Sequence, residues 1–203
     1  MESGASFEEA ARHLREEGLT EFDPELDTSG WDSAQKLAVL VARAKEVRYD
    51  VSDMNVKGIE RVSPLLLRAA RPLGLRVKLV AIFRETAGGH VAAVLPAAVP
   101  AEGHLGAVRF DDNVVVLRSG EMGEMVCIGK GRGSLPVATA VLNDLLGFFH
   151  PSRSWAGRFP RAAGRPAVPL FERHLRIEGG AARITEAPAG DSVPVLDSLR
   201  SVE

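Results

Sequence analysis

The sequence predicts an α+β protein of two layers, a mixed β-sheet with helices packed on one face, and three observations carry that reading. Apolar residues recur at helical spacing through most of the first seventy positions. Four short runs rich in β-branched and apolar residues then follow one another between positions 76 and 128. A last amphipathic stretch from Pro136 to Phe149 closes the series, so the order is helix, helix, helix, strands, helix.

Composition sets the outer limits. The chain has 203 residues, 45% of them hydrophobic and 26% charged, with a formal net charge of −2, which describes an ordinary globular protein able to bury a core. A pI near 6.2 gives no global footprint for nucleic acid or for an anionic membrane, so neither is expected as a partner. The single cysteine, Cys127, leaves no internal disulfide and no cysteine-rich zinc site, which points to a reducing cytoplasm. The N-terminus shows neither a basic n-region nor an apolar h-region, and no apolar run reaches membrane-spanning length.

The elements follow in order. Ser6-Phe7-Glu8-Glu9 has the pattern of a capping box, with Phe7, Ala10, Ala11 and Leu14 at helical spacing behind it and Gly18 as the stop. An acidic loop with Glu21, Asp23, Glu25 and Asp27 is broken by Pro24 and Gly30. The second helix runs from about Asp32 to Val47. Its apolar positions Leu37, Val39, Leu40, Val41 and Ala44 wrap most of the circumference, predicting a largely buried helix with Asp32 favourably placed in the first turn. Between Tyr49 and Ile59 there is no clean period, though Val51 and Val56 suit short extended pieces. Ser63-Pro64 reads as an N-cap with proline at the first helical position, opening a third helix that Gly74 closes. Strands are expected over Arg76 to Phe83, Gly89 to Leu95, Asn113 to Leu117 and Met125 to Ile128, with turns at Gly88-Gly89 and Asp111-Asp112-Asn113. The final helix carries Val137, Val141, Leu142, Leu145 and Leu146 as its apolar stripe.

At His150 the character changes, which divides the chain into 1–150 and an arm with tail over 151–203. Pro151 to Pro169 holds four arginines and four prolines, with Trp155 and Phe159 between them. That mixture suits single-stranded nucleic acid or, more simply, an arm lying over the protein or a partner subunit. The tail suggests a strand at Leu175-Arg176-Ile177 and a short helix near Val195 to Leu199.

Several motifs have both a chemical and a plain reading. Gly129-Lys130-Gly131-Arg132-Gly133 before a helix suits an anion, yet its spacing matches neither the P-loop nor the dinucleotide fingerprint, and a plain strand-to-helix turn explains it as well. The five histidines are scattered without metal spacing. Cys127 lies in an apolar strand and reads as a buried, inert thiol. Asp32 and Lys36 stand four residues apart on one helix face, where most such pairs are solvated and contribute only a few tenths of a kcal/mol. The neighbouring acids make them more interesting, because so acidic a loop beside an apolar helix asks for a cation or a ligand ammonium.

Taken together, the blocks Glu21-x-Asp23-Pro24, Asp27, Gly30 and Asp32-x-Ala34-x-Lys36-Leu37 resemble the substrate-site signature of the homoserine dehydrogenases. The likeness begins with Ser6-Phe7-x-Glu9-Ala10 and Gly18. It continues through Gly58-Ile59, Leu73-Gly74-x-x-x-Lys78-Leu79, Pro96-x-x-Val99-Pro100, Asn113-x-Val115-Val116-Leu117 and Gly129-x-Gly131-x-Gly133-x-x-Pro136-x-Ala138, and on to Asp144-Leu145, covering about residues 4 to 147.

The resemblance implies a catalytic and dimerisation domain that interconverts L-homoserine and L-aspartate 4-semialdehyde with NADP or NAD, in threonine and methionine biosynthesis. It implies Glu21 on the substrate ammonium, Asp27 shaping the substrate site, Lys36 as general acid/base and Asp32 orienting it or sharing in the proton transfer. Gly131 and Gly133 would lie beside the nicotinamide end of the cofactor. The family's N-terminal nucleotide-binding domain has no counterpart before Ser6, so the cofactor's principal site is expected on a separate or missing domain acting in trans, with the chain itself a homodimer. Arg132 and Val137 depart from the family's usual small residue and threonine, and Arg132 would either crowd the nicotinamide pocket or bind an anion. The alternative to an enzyme is a non-catalytic dimerisation or ligand-binding module of the same descent.

Overall fold

A computed structural model describes residues 28–60, 62–86, 89–109, 112–149, 174–178, 181–185 and 193–196, together with positions 9, 12, 13 and 16. The four isolated positions are helical, in keeping with the first expected helix, whose capping residues Ser6 and Phe7 lie outside the described residues, as does the Arg/Pro-rich stretch.

Two long strands make the spine. β2 (Leu75–Thr86) and β3 (Gly89–Pro100) pair antiparallel in unbroken register from Leu75 opposite Pro100 to Thr86 opposite Gly89. β1 (Asn55–Val56) joins the other edge of β3 in parallel, so the three-stranded sheet is mixed and has the order β1-β3-β2. Ala92 to Val99 is buried without interruption, the pattern of a strand covered on both faces.

Alternation along the strands sorts the core. Ala92 and Val94, with Leu79 and Phe83 from β2, meet Ala34, Leu37 and Val41 of α1 (Trp31–Lys45). Further along the same face Ala98, Leu75 and Val77 meet Leu66 and Ala70 of α2 (Pro64–Ala70), and Leu175 and Val193 from the tail complete this cluster. The opposite face presents Ile82, Ala93, Leu95, Ala97 and Val99 to Leu196 and to Leu105 of the single-turn α3 (His104–Ala107). Both long helices of the body therefore lie on one side, as expected.

Local signals act where they were read. Ser63 Oγ accepts from Leu66 N at 3.1 Å with Pro64 at the first helical position. Gly74 ends the following 3₁₀ turn, Arg71–Leu73, at φ 69°, a conformation glycine adopts without strain. At the far end of the spine, Lys45 Nζ and His90 Nε2 both reach Glu85, at 2.8 Å and 3.3 Å, tying the end of α1 to the β2–β3 hairpin.

Four expectations need correction. α1 is not buried all round: Val39 is 64% and Leu40 50% exposed, because a helix lying on a single sheet buries one stripe only. The third and fourth strands do not extend the central sheet. Among the described residues β4 (Asp112–Ser119) and β5 (Gly123–Lys130) pair only with each other, as a separate antiparallel hairpin. For the same reason Cys127 is exposed rather than buried, since among the described residues no second layer packs over the hairpin. Val195 makes a parallel bridge to Ala98, with Leu196 N donating to Ala98 O at 2.7 Å, where a short helix was expected. An extended segment there satisfies the free edge of β3, which a helix could not do.

The tail otherwise adds β6 (His174–Glu178), β7 (Ala181–Thr185) and β8 (Val193–Pro194) in the order β7-β6-β8. The hairpin leads into α4 (Ser134–Phe148), whose Leu135, Val137, Val141, Leu142, Leu145 and Leu146 are 53–76% exposed. No helix among the described residues is long and apolar enough to cross a membrane.

The stripe assignment is tested by truncation: Leu37→Ala should cost about 2–5 kcal/mol in chemical denaturation, whereas Val39→Ala should stay within about 0.5 kcal/mol. The Glu85 carboxyl is held below its ordinary range, first by the hydrogen bond from Lys45, with Lys45 and His90 charges adding to it against a burial effect. Because this shift is downward, Glu85 stabilises the fold above the ordinary carboxylate value, and the contribution fades as pH falls through its lowered value. Glu85→Gln should therefore lower the melting temperature at neutral pH and converge with the wild type in acid, measured by thermal scans across a pH series.

Candidate active site

The first turn of α1 is built by backbone constraints. Gly30 sits at φ 81°, in the left-handed region, and a Cβ there would approach Val94 Cγ1 to 3.2 Å and Val56 Cγ1 to 3.4 Å. The chain thus enters α1 pressed against β1 and β3. Ala34 N donates to Gly30 O at 3.0 Å and Trp31 N reaches Ser29 Oγ at 3.4 Å, while no side chain caps the helix in the usual way. Behind this turn, Ile59 N donates to Thr28 O at 2.8 Å and Lys57 N to Val94 O at 2.7 Å.

On that turn the structure joins two of the residues singled out from sequence. Lys36 Nζ lies 2.7 Å from Asp32 Oδ2, with side chains 66% and 42% exposed. The helical repeat places them on one face, and Asp32 also meets the positive end of the α1 dipole. An ammonium held by a carboxylate at the surface of a sheet-backed helix can exchange a proton with a bound hydroxyl while its position stays fixed. Glu21 and Asp27 fall outside the described residues, although the described chain resumes at Thr28, directly after Asp27.

The glycine-rich turn stands at the other described location. Gly131 lies under the amide of Asn113, so close that a Cβ would collide with it, and Gly133 takes φ 113° just before α4. Lys130 is 2.8 Å from Asp112 across the base of the hairpin. Here the plain turn has a physical reason beyond flexibility: Gly133 is favoured by its dihedral, and a Cβ at Gly131 would have to displace the Asn113 side chain. The uncapped α4 terminus that results leaves backbone N–H groups open. Asp32 and Lys36 belong to the sheet-backed body and Gly131 and Gly133 to the hairpin. The described links between these parts pass through the α3 segment, by Arg76 Nη1 to Gly106 O at 2.9 Å, Lys78 Nζ to Val108 O at 2.8 Å and His104 Nε2 to Glu124 at 3.6 Å.

Among the described residues no group of three His, Cys, Asp or Glu side chains could hold a metal ion. Sequence reasoning assigned no role to Gly58 or Asn113. Both stand in the motif blocks, and the missing signal was spatial: Gly58 faces Thr28, and Asn113 faces Gly131, across turns.

Comparison with known proteins adds to this geometry. The homoserine dehydrogenase family model matches residues 1–146. The homoserine dehydrogenase of Bacillus subtilis is 31% identical over 140 residues, covering 69% of this chain and 32% of that protein. The Mycobacterium tuberculosis homoserine dehydrogenase is 32% identical over 173 residues, covering 83% of this chain and 39% of the relative. The crystal structure of a homoserine dehydrogenase from Thiobacillus denitrificans superposes with a TM-score of 0.72 at 27% identity, over 86% of this chain and 42% of that one. The chain therefore spans only about a third to two fifths of the curated relatives it matches here.

Exposure of the Asp32–Lys36 pair makes it a clean target. Asp32→Asn and Lys36→Met should each change unfolding free energy by less than about 1 kcal/mol in denaturant titrations, so any loss of ligand binding in these variants reads chemistry rather than folding.

Proposed function

Since the chain belongs to the homoserine dehydrogenase family, we propose that it supplies the substrate half of the NAD(P)-linked interconversion of L-homoserine and L-aspartate 4-semialdehyde, working with a nucleotide-binding domain that lies outside these 203 residues. The observation that carries this reading is the Lys36 ammonium held 2.7 Å from Asp32 on the exposed turn that follows the acidic loop.

In the oxidative direction, the carbinol carbon of homoserine gives up a hydride and its oxygen gives up a proton. Lys36 Nζ acts as the neutral amine when it takes that proton, becoming the ammonium, and returns the proton in reduction; Asp32 holds the ammonium in place and stabilises its charge. Glu21 binds the substrate ammonium, and Asp27 shapes the pocket around it. NAD(P), when bound with its own domain, supplies the hydride acceptor. Gly131 and Gly133 suit its nicotinamide end, because the first leaves no Cβ over Asn113 and the second opens the α4 terminus. Arg132, between them, is the residue of this turn with the bulk to alter that pocket.

Support for a separate domain comes from α4. The apolar stripe of an amphipathic helix is ordinarily buried, yet on α4 Leu135, Val137, Val141, Leu142, Leu145 and Leu146 stand more than half exposed. That surface is the kind a nucleotide-binding domain would cover. Under this reading the chain is a cytoplasmic, homodimeric oxidoreductase of threonine and methionine biosynthesis.

Mixing the chain with a nucleotide-binding domain excised from a relative should give homoserine-dependent NAD(P)H formation, followed by absorbance. Lys36→Ala should lower the rate on the order of 10²–10⁴-fold, and undiminished activity in that variant would remove the lysine from its role. Leu142→Glu with Leu145→Glu should prevent association of the two parts while leaving the body folded. Calorimetric titration with homoserine, with and without NADP, separates the enzyme from a pure dimerisation scaffold, which would bind neither.

A further inference from the structure

We infer that Gly58 is a positioning residue for the substrate site, the contact that fixes Thr28, at the entrance to α1, to the central sheet. The inference rests on the functional reading above and concerns how its pocket is held in place.

The segment from Asn55 to Ile59 is fastened on two sides. Toward the sheet, Asn55 and Val56 pair with Ala93 and Val94, and Lys57 N donates to Val94 O at 2.7 Å. Toward the loop, Ile59 N donates to Thr28 O at 2.8 Å. Thr28 directly follows Asp27 and stands four residues before Asp32, so this one hydrogen bond ties the end of the acidic stretch to the deepest strand of the protein. Gly58 lies at the crossing. A Cβ placed on it would overlap the Thr28 carbonyl oxygen and the Glu60 carboxylate. The carboxylate is the far end of an exposed, flexible side chain and can swing away. The carbonyl is backbone, and can yield only if Thr28 moves off Ile59.

The dihedral angle gives no competing reason for glycine. Gly30, Gly74, Gly89, Gly123 and Gly133 hold positive φ, but Gly58 does not. Alanine is therefore free to adopt its backbone conformation, and the whole effect of a methyl group there is displacement of Thr28. A shift of this kind displaces the segment by which the chain enters α1, the helix that carries Asp32 and Lys36, and misplacement of about 1 Å suffices for roughly a hundredfold loss in a positioned site.

The test compares Gly58→Ala with the wild type and with Gly120→Ala, a glycine having nothing within 4 Å and no positive φ. Homoserine affinity of the full chain is read by calorimetry, and the anchor is read without ligand by hydrogen exchange at the Ile59 amide. The expected result is a tenfold or greater loss of homoserine affinity in Gly58→Ala, with faster Ile59 exchange, a folded circular dichroism spectrum and no change in Gly120→Ala. Adding Glu60→Ala should not rescue it, because the obstructing atom is the Thr28 carbonyl. Wild-type affinity in Gly58→Ala, full rescue by Glu60→Ala, or lost affinity with unchanged Ile59 exchange would each overturn the inference. Failure of the wild-type chain to bind homoserine would instead overturn the functional reading, and the exchange measurement keeps the two failures apart.

Discussion

Burial of β3 on both faces is the constraint on which the described structure depends. A strand covered on both sides has no solvent face to fall back on, so every neighbour must supply apolar surface and every backbone group must find a partner. β2 meets the second demand along one edge, β1 and the bridge from Val195 along the other. α1 and α2 meet the first on one face, and Leu105 and Leu196 contribute on the other. The small side chains of Ala92, Ala93, Ala97 and Ala98 suit this position, since helices and loops can approach the strand closely where β-carbons are the largest groups present.

The candidate chemistry is set on this spine at one remove. Lys36 and Asp32 stand on α1, Gly30 brings the start of that helix against Val94, and Ile59 carries the chain from the β1 edge to Thr28. An exposed ion pair by itself has little positional precision. Rooted in a fully buried strand, the same pair sits on one of the least deformable parts of the molecule, which is where a proton-transfer group is best placed.

Much of this was legible in the residues. The N-cap at Ser63, the stop at Gly74 and both long strands are local signals, and they act locally. The acidic loop with Lys36 was visible as a pattern, and its similarity to a known substrate site gave each residue an expected role. What could not be read was which elements share a layer. Val39 and Leu40 look like core in a helix taken alone; only the fact that one sheet lies beneath α1 makes them surface. Cys127 and the α4 leucines have apolar surroundings in sequence, and nothing in their own spacing says that the hairpin stands apart from the sheet. Gly58 is a similar case, since its neighbour Thr28 is thirty positions away.

The bridge between Val195 and Ala98 has a consequence for how the protein is made. It joins residues almost a hundred positions apart, and it brings with it Leu175 and Val193, which are buried in the cluster around α2. On the ribosome the β2–β3 hairpin and both helices emerge long before these residues exist, so the edge of β3 beside Ala98 stays open while the remainder of the chain is synthesised. Contacts of such sequence separation are slow to form, because the entropy of closing the loop comes before any contact repays it. The body is therefore finished by residues made about a hundred positions after β3, and the interval before they arrive is when an unpaired, apolar edge is most open to another chain.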